Sequence, residues 1–203
     1  MKTIILSLLA FYSLLISSFT KDPVKYNYTL NTDKSIVEWS GASPKVTHQG
    51  SFEVTCEGIE VVDGQVKSGT FVIPIASIKN FDLPKALKPV LLKHLKSEDF
   101  FNLALYPEAK FSITEVMPLN SVPEGAVTGA KAQVTGDFTL LGKTNSITFP
   151  AKIDLLENNL AVEATFMLDR TQWGMNHAAD PELKNRHIYP EVAIHLKVAG
   201  NRN

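Results

Sequence analysis

The feature that most restricts this chain is a period of two. Apolar side chains take every second place in Phe52, Val54 and Cys56, in Phe71, Ile73 and Ile75, in Ala109, Phe111 and Ile113, and in Val134, Phe138 and Leu140. The pattern returns in Ile147 to Leu155, Leu160 to Leu168 and Val192 to Val198, and more briefly in Tyr26, Tyr28 and Leu30 and in Val37 and Trp39. Residues two apart point to the same side of a strand, so each stretch reads as a strand with a single apolar face. Roughly eight principal strands of this kind must bury those faces by stacking as a sandwich or closing into a barrel. At eight strands a closed barrel is either filled by its own side chains or just wide enough for one slender ligand, and the alternation leaves both outcomes open.

Turn chemistry punctuates the strands. Asp63-Gly64 marks a tight hairpin, Gly58 a break or bulge, and Pro74 an edge, a bulge or a strand end. Asn31-Thr-Asp-Lys34 is expected to fold Tyr26–Leu30 back onto Ser35–Ser40 as a hairpin. Gly136 suits a closely curving sheet, and Gly142–Asn145 and Asn158-Asn159 supply further turns. One segment has a different period: Leu83, Leu87, Val90, Leu91, His94 and Leu95 recur every three or four residues among lysines, with Pro84 suited to a first helical turn. Ser97, followed by Glu98 and Asp99, can cap a short turn that presents Phe100 and Phe101 before Pro107 returns the chain to strand.

Lys2 followed by the apolar run Ile4–Ile16 and the small residues Ser17, Ser18 and Thr20 reads as a secretory signal over 1–20. An uncleaved anchor is the alternative, but Ile4–Phe19 falls short of the ~20 residues a spanning helix needs. The remainder, 21–203, is long enough for one domain with a sizeable core. Removing 1–20 takes away one lysine and no acid, moving the formal charge from −1 to −2. That balance gives no electrostatic reason to expect nucleic acid or an anionic membrane surface as a partner. The expected location is periplasmic or secreted. The lone Cys56 cannot form an internal disulfide there, and its place on an alternating face reads as a small buried hydrophobe.

Catalysis or metal binding needs a constellation, and none stands out. His48, His94, His177, His187 and His195 are scattered without ligand spacing. His195 reads as a solvated strand residue, and His94 as a packed helix residue in preference to a ligand. His177 and His187, with Asp180 and Glu182 between them, make only a weak loop set for an adventitious metal. Asp137 and Asp154 alternate onto solvent faces, and no nucleophile elbow or phosphate loop is present. Neither an enzyme, a cofactor nor a metal is expected.

Three ordered segments carry a resemblance. His-Leu-Lys-Ser-Glu-Asp-Phe-Phe (94–101) with Tyr-Pro-Glu-Ala-Lys-Phe (106–111), Val134–Pro150, and Asp-Arg-Thr-Gln-Trp-Gly-Met (169–175) closely resemble the motifs of the YceI-like family of lipocalin-like, isoprenoid-binding bacterial proteins. The resemblance implies an all-β fold, an eight-stranded antiparallel lipocalin-like β-barrel with one helical insertion capping an end. It also implies an internal pocket for a long isoprenoid chain.

On that reading Trp39, Phe52, Phe71, Phe111, Phe138, Phe149 and Phe166 on inward faces, with Phe100 and Phe101 at the cap, are the candidate tail-binding residues. Ordinary core filling is the favoured reading of each taken singly. Arg170, Trp173 and Asn176 are the candidate head-group residues. Arg170 suits a diphosphate or a quinone carbonyl, although a structural role neutralising Asp169 or Asp99 and tying the loop to the barrel end is slightly favoured. Asn176–Tyr189 departs from the acidic loop expected of relatives, which leaves head-group identity open. The expected function is sequestering or carrying an isoprenoid, quinone or fatty-acyl lipid without altering it, and the reading allows a transient membrane contact and a homodimer. Two rivals remain: an enzyme on a hydrophobic substrate with His48 or His177 as base beside Arg170, and a filled barrel acting as a stress or interaction module.

Overall fold

The computed structural model describes residues 22–203, so the expected signal segment lies outside the described residues. The strands are β1 (Lys25–Leu30), β2 (Ile36–Ala42), β3 (Thr47–Phe52), β4 (Thr55–Val62), β5 (Gln65–Pro74), β6 (Lys79–Asn80), β7 (Glu108–Pro118), β8 (Ala132–Leu140), β9 (Lys143–Leu156), β10 (Asn159–Asp169) and β11 (Glu191–Arg202), with helix α1 at Lys88–Leu95. Antiparallel pairing runs β1-β4-β5-β7-β8-β9-β10-β11, and β11 pairs back onto β1 to close the ring. β2 carries on along β11 beyond β1, from Lys197↔Ile36 to Val192↔Gly41, while β3 prolongs β4 and pairs with β2. The result is a closed eight-stranded antiparallel barrel whose first two strands are each broken once, and the expected fold class is the observed one.

The first break corrects one expectation. Asn31–Lys34 does not reverse the chain: Thr32–Lys34 form a 3-10 turn, after which β2 continues in the direction of β1, since both run antiparallel to β11. Asn31 Oδ1 accepts from Lys34 N, and Ser35 Oγ donates to Asn31 O and accepts from Ala199 N. These bonds fasten the jog to β11, so the chain steps sideways instead of turning.

Two expected turns sit earlier than their residues suggest: Leu140 pairs with Lys143, so Leu141-Gly142 make the turn and Lys143–Asn145 already belong to β9, and Leu156 pairs with Asn159, so Glu157-Asn158 make the next one. The remaining punctuation acts as expected. Asp63 (φ 51°) and Gly64 (φ 76°) make the two-residue turn between Val62 and Gln65, with both central residues in the left-handed region that type I′ geometry requires. The β4–β5 register shifts between Cys56 and Ile59, placing a bulge at Gly58, and Pro74 ends β5. Gly136 pairs with Ile113, and a Cβ there would come within 2.5 Å of both the Phe111 ring and Ser112 O. The ring of Phe111 occupies that space, letting the wall curve inward.

The insertion between β5 and β7 is shorter in helix than the periodicity predicts. α1 is two turns long, and Pro89 occupies its start, while Pro84 opens the preceding turn with Leu87 N donating to its carbonyl at 2.9 Å. The helix rests on the barrel through Leu91, Leu92 and Leu95. Leu87 and Val90, expected on the buried stripe, are 52% and 68% exposed because the first turn overhangs the rim.

Among the described residues, buried side chains form three clusters instead of one continuous core. One gathers Tyr28, Leu30, Ile59, Val61, Leu160 and Val198 at the end of the barrel that holds both termini of the described chain. Another lies under the cap, around Phe52, Ile75, Phe100, Leu140 and Trp173, and a third lines the wall at Val134, Phe149, Ala151 and Ala164.

Candidate functional site

Between the three clusters the barrel is hollow. A cavity of about 540 Å³ extends from Val66, Leu160 and Val198 near the base to Leu91, Leu95 and Phe100 beneath the cap. That volume falls within the ~300–1,000 Å³ of small-molecule sites. Period-two alternation accounts for the cavity's chemistry: the inward residues of β5 and β7 to β11 are aliphatic or aromatic, and polar lining is confined to Ser43, His48, His94, Arg170 and Tyr189. Val46 (49% exposed) and Tyr189 (40% exposed) border the cavity with Leu91 and His94 of α1. The mouth therefore lies between the β2–β3 turn, the cap helix and the loop before β11.

All nine aromatics named from the sequence border the cavity. They leave its centre open because they pack on one another along the wall. Phe149 stacks on Phe166 with centroids 4.4 Å apart, Phe111 tilts onto Phe149 at 5.5 Å, and Phe101 meets Phe52 edge-on at 5.4 Å. The indole N–H of Trp39 is buried without an acceptor.

The three head-group candidates are placed differently. Arg170 borders the cavity and is 4% exposed. Its Nε donates to Tyr189 O at 3.3 Å, Nη2 to His177 O at 2.9 Å and Ile188 O at 3.0 Å, and Nη1 to Met175 O. A guanidinium has five N–H groups, so one, on Nη1, is left over. Burial lowers its pKa, partly offset by Asp169. It makes no ion pair with either aspartate proposed for it. Asp169 instead caps the following 3-10 turn, accepting from Thr171 N and Oγ1, and Asp99 faces two histidines. The tie between loop and barrel end is thus made through carbonyls. Trp173 and Asn176 do not border the cavity. The indole is 1% exposed, packs edge-on against Phe138 and gives its single N–H to Phe138 O at 2.9 Å, and Asn176 is on the outer surface.

Titratable groups near the mouth are held in local pairs. His48 Nδ1 lies 2.7 Å from Asp82 Oδ2. Although desolvation opposes it, hydrogen bonds from Gln49 N–H, His48 and Asn80 hold the Asp82 carboxyl at about 2. His195 is not simply solvated: it lies between Glu38 and Glu163 at 2.9 and 3.0 Å on the outer wall. Burial pushes the Cys56 thiol up, and the residue is half-buried against the basal cluster. One grouping escaped the sequence reading: His94, Asp99 and His177 converge at the rim. The His94/Asp99 pair was visible as a five-residue spacing, but His177 arrives from beyond β10 and carries no local signal.

Comparison with known proteins agrees with this geometry. A YceI-like domain model matches residues 28–199. A UPF0312 protein of Photorhabdus laumondii is 44% identical over 61 residues, covering 30% of this chain and 27% of that protein. Protein YceI of Escherichia coli O157:H7 is 41% identical over 61 residues, covering 30% and 27%. The chain thus spans about a quarter of the length of these relatives. Among solved structures, Burkholderia cenocepacia BcnA superposes with a TM-score of 0.63 at 18% identity, covering 84% of this chain and 98% of that one. A polyisoprenoid-binding domain from Saccharophagus degradans also scores 0.63, at 14% identity over 87% and 98%. At these identities the superpositions establish the fold alone.

Proposed function

The chain belongs to the YceI-like family, and on that premise we propose that it holds a single amphiphilic lipid, with an isoprenoid or similarly slender tail inside the barrel, and does not change it chemically. The observation that carries this reading is the apolar cavity of about 540 Å³, which runs from the buried basal cluster to the cap. An apolar cavity of ~150 Å³ holds one benzene, so this one accommodates roughly three to four isoprene units. Each CH₂ transferred from water contributes ~0.8 kcal/mol, so affinity needs few directional contacts. The nine wall aromatics are assigned to the tail. Of the head-group candidates, Arg170 alone is retained as a direct contact, through its remaining N–H and its charge, because Trp173 and Asn176 stand away from the cavity. An isoprenoid is preferred to a quinone or fatty-acyl lipid because the polyisoprenoid-binding domain of Saccharophagus degradans builds the same barrel and the slender cavity suits such a tail.

We place the protein outside the cytoplasm after loss of 1–20. Among the described residues no helix is long and apolar enough to cross a membrane. Exposed Phe81, Leu87 and Val90 at the overhanging start of the cap offer a face for brief contact with a bilayer during loading. The test is organic extraction of protein purified from its native host, followed by mass spectrometry. A prenyl-chain lipid near one per barrel is expected, and a clean extract would count against the proposal.

A further inference from the structure

The rim of the mouth carries three metal-binding side chains from two separate segments. His94 lies on α1, Asp99 on the turn after it and His177 on the loop after β10, and one donor atom from each falls within 4.8 Å of the others. Asp99 meets His94 Nε2 through Oδ2 at 3.1 Å and His177 Nδ1 through Oδ1 at 3.3 Å, and the two imidazoles cross at 89° with centroids 5.1 Å apart. Around a tetrahedral ion with bonds of about 2.0–2.1 Å, neighbouring ligand atoms are separated by roughly 3.3 Å. The two carboxylate–imidazole distances are already close to that separation and all three donors lie within 4.8 Å, so side-chain rotations suffice to bring them onto one ion. Other histidines are arranged differently. His195 bridges two carboxylates with its two nitrogens, and His48 pairs with a single aspartate.

Neighbouring groups also hold these three residues in place. Asp99 N donates to Ser97 Oγ, His94 packs edge-on against Phe100, and the backbone carbonyl of His177 is fixed by Arg170 Nη2. We propose that His94, Asp99 and His177 form a binding site for a divalent transition metal of the zinc class, which when filled staples the cap to the loop across the cavity mouth. Two imidazoles and a carboxylate suit zinc, cobalt, nickel or copper rather than calcium or magnesium, which prefer oxygen ligands. Arg170, anchored to the His177 backbone, adds a like charge nearby. The expected affinity is accordingly micromolar rather than that of a four-ligand structural site.

The simpler account is a carboxylate hydrogen-bonded to two histidines, and one experiment separates the two. Tag-free protein is titrated with Zn²⁺ by calorimetry and with Co²⁺ by visible absorption. Uptake of one ion per chain is expected, with the intense absorption of low-coordinate Co²⁺. The midpoint of thermal unfolding should rise about 5–10 °C at a hundredfold excess of Zn²⁺ over Kd. Asp99→Ala, His94→Ala and His177→Ala should each weaken binding at least tenfold, whereas His195→Gln should bind as the parent does. The three side chains are 34–46% exposed, so the variants should keep the parent circular dichroism, and His177→Gln serves as a milder replacement. No uptake by the parent, or binding within twofold of it in all the rim variants, would overturn the site. Neither result depends on which lipid the barrel holds.

Discussion

Arg170 is a buried cation without an ion-pair partner among the described residues, satisfied by four backbone carbonyls that approach from Met175 to Tyr189. Lysine keeps the charge but lacks the planar fork, so Arg170→Lys should leave several of those carbonyls unpaired. A loss of about 2–4 kcal/mol in urea unfolding is expected, with the loop exchanging its amide hydrogens faster. Phe149 acts at the other end of the same problem. It is 4% exposed and stacks between Phe111 and Phe166, so Phe149→Ala should deepen the cavity and shift preference toward bulkier or longer tails. Competition between prenyl alcohols of different length measures this, and Arg170→Ala should move that preference less. The inward placement of Phe149 was legible because its neighbours alternate with it. The four-carbonyl grip of Arg170 was not legible, because those carbonyls belong to backbone that only the folded loop brings round.

Strands are more legible in this sequence than the pieces that join them. Alternation is a local signal, and a two-residue Asp-Gly turn has few other uses, so β4 and β5 were apparent in advance. Asn31–Lys34 has residues that serve a hairpin and a 3-10 step equally well, and the pairing of both β1 and β2 with β11 decides between them. The cap follows the same rule, since an amphipathic pattern does not say which turn of a short helix overhangs the rim. The strand β6 that anchors it depends on Asp82, which accepts from Gln49 N and Asn80 Nδ2 and pairs with His48. With its carboxyl held at about 2 instead of 3.8, Asp82 stabilises the fold fully above pH ~4, and the contribution disappears as pH falls toward 2. Protection of the Gln49 and Phe81 amides, measured against their intrinsic exchange rates, should fall over that window, and Asp82→Asn should flatten the response. On the opposite wall, Gly136→Ala should cost ~1–3 kcal/mol in chemical denaturation, because the new methyl meets the backbone oxygen of Ser112 as well as the Phe111 ring.

At the scale of the molecule, a hollow barrel gains stability from whatever fills it. Protein stripped of lipid should keep its far-ultraviolet circular dichroism, and adding a prenyl alcohol should raise the unfolding midpoint with concentration, as binding to the folded state alone requires. An unchanged midpoint at saturating probe would indicate an interior closed to such molecules. Closure between first and last strands has a separate effect. Asn203 N donates to Asn27 O, and β11 runs from the mouth at Glu191 to the base at Arg202, so both ends of the barrel emerge side by side at the pole farthest from the cap. Attached to a surface by either end, the protein would stand on its foot with its opening turned outward. Joining the ends by a short peptide and cutting at Asp63-Gly64 should yield a rearranged chain that still builds the same vessel.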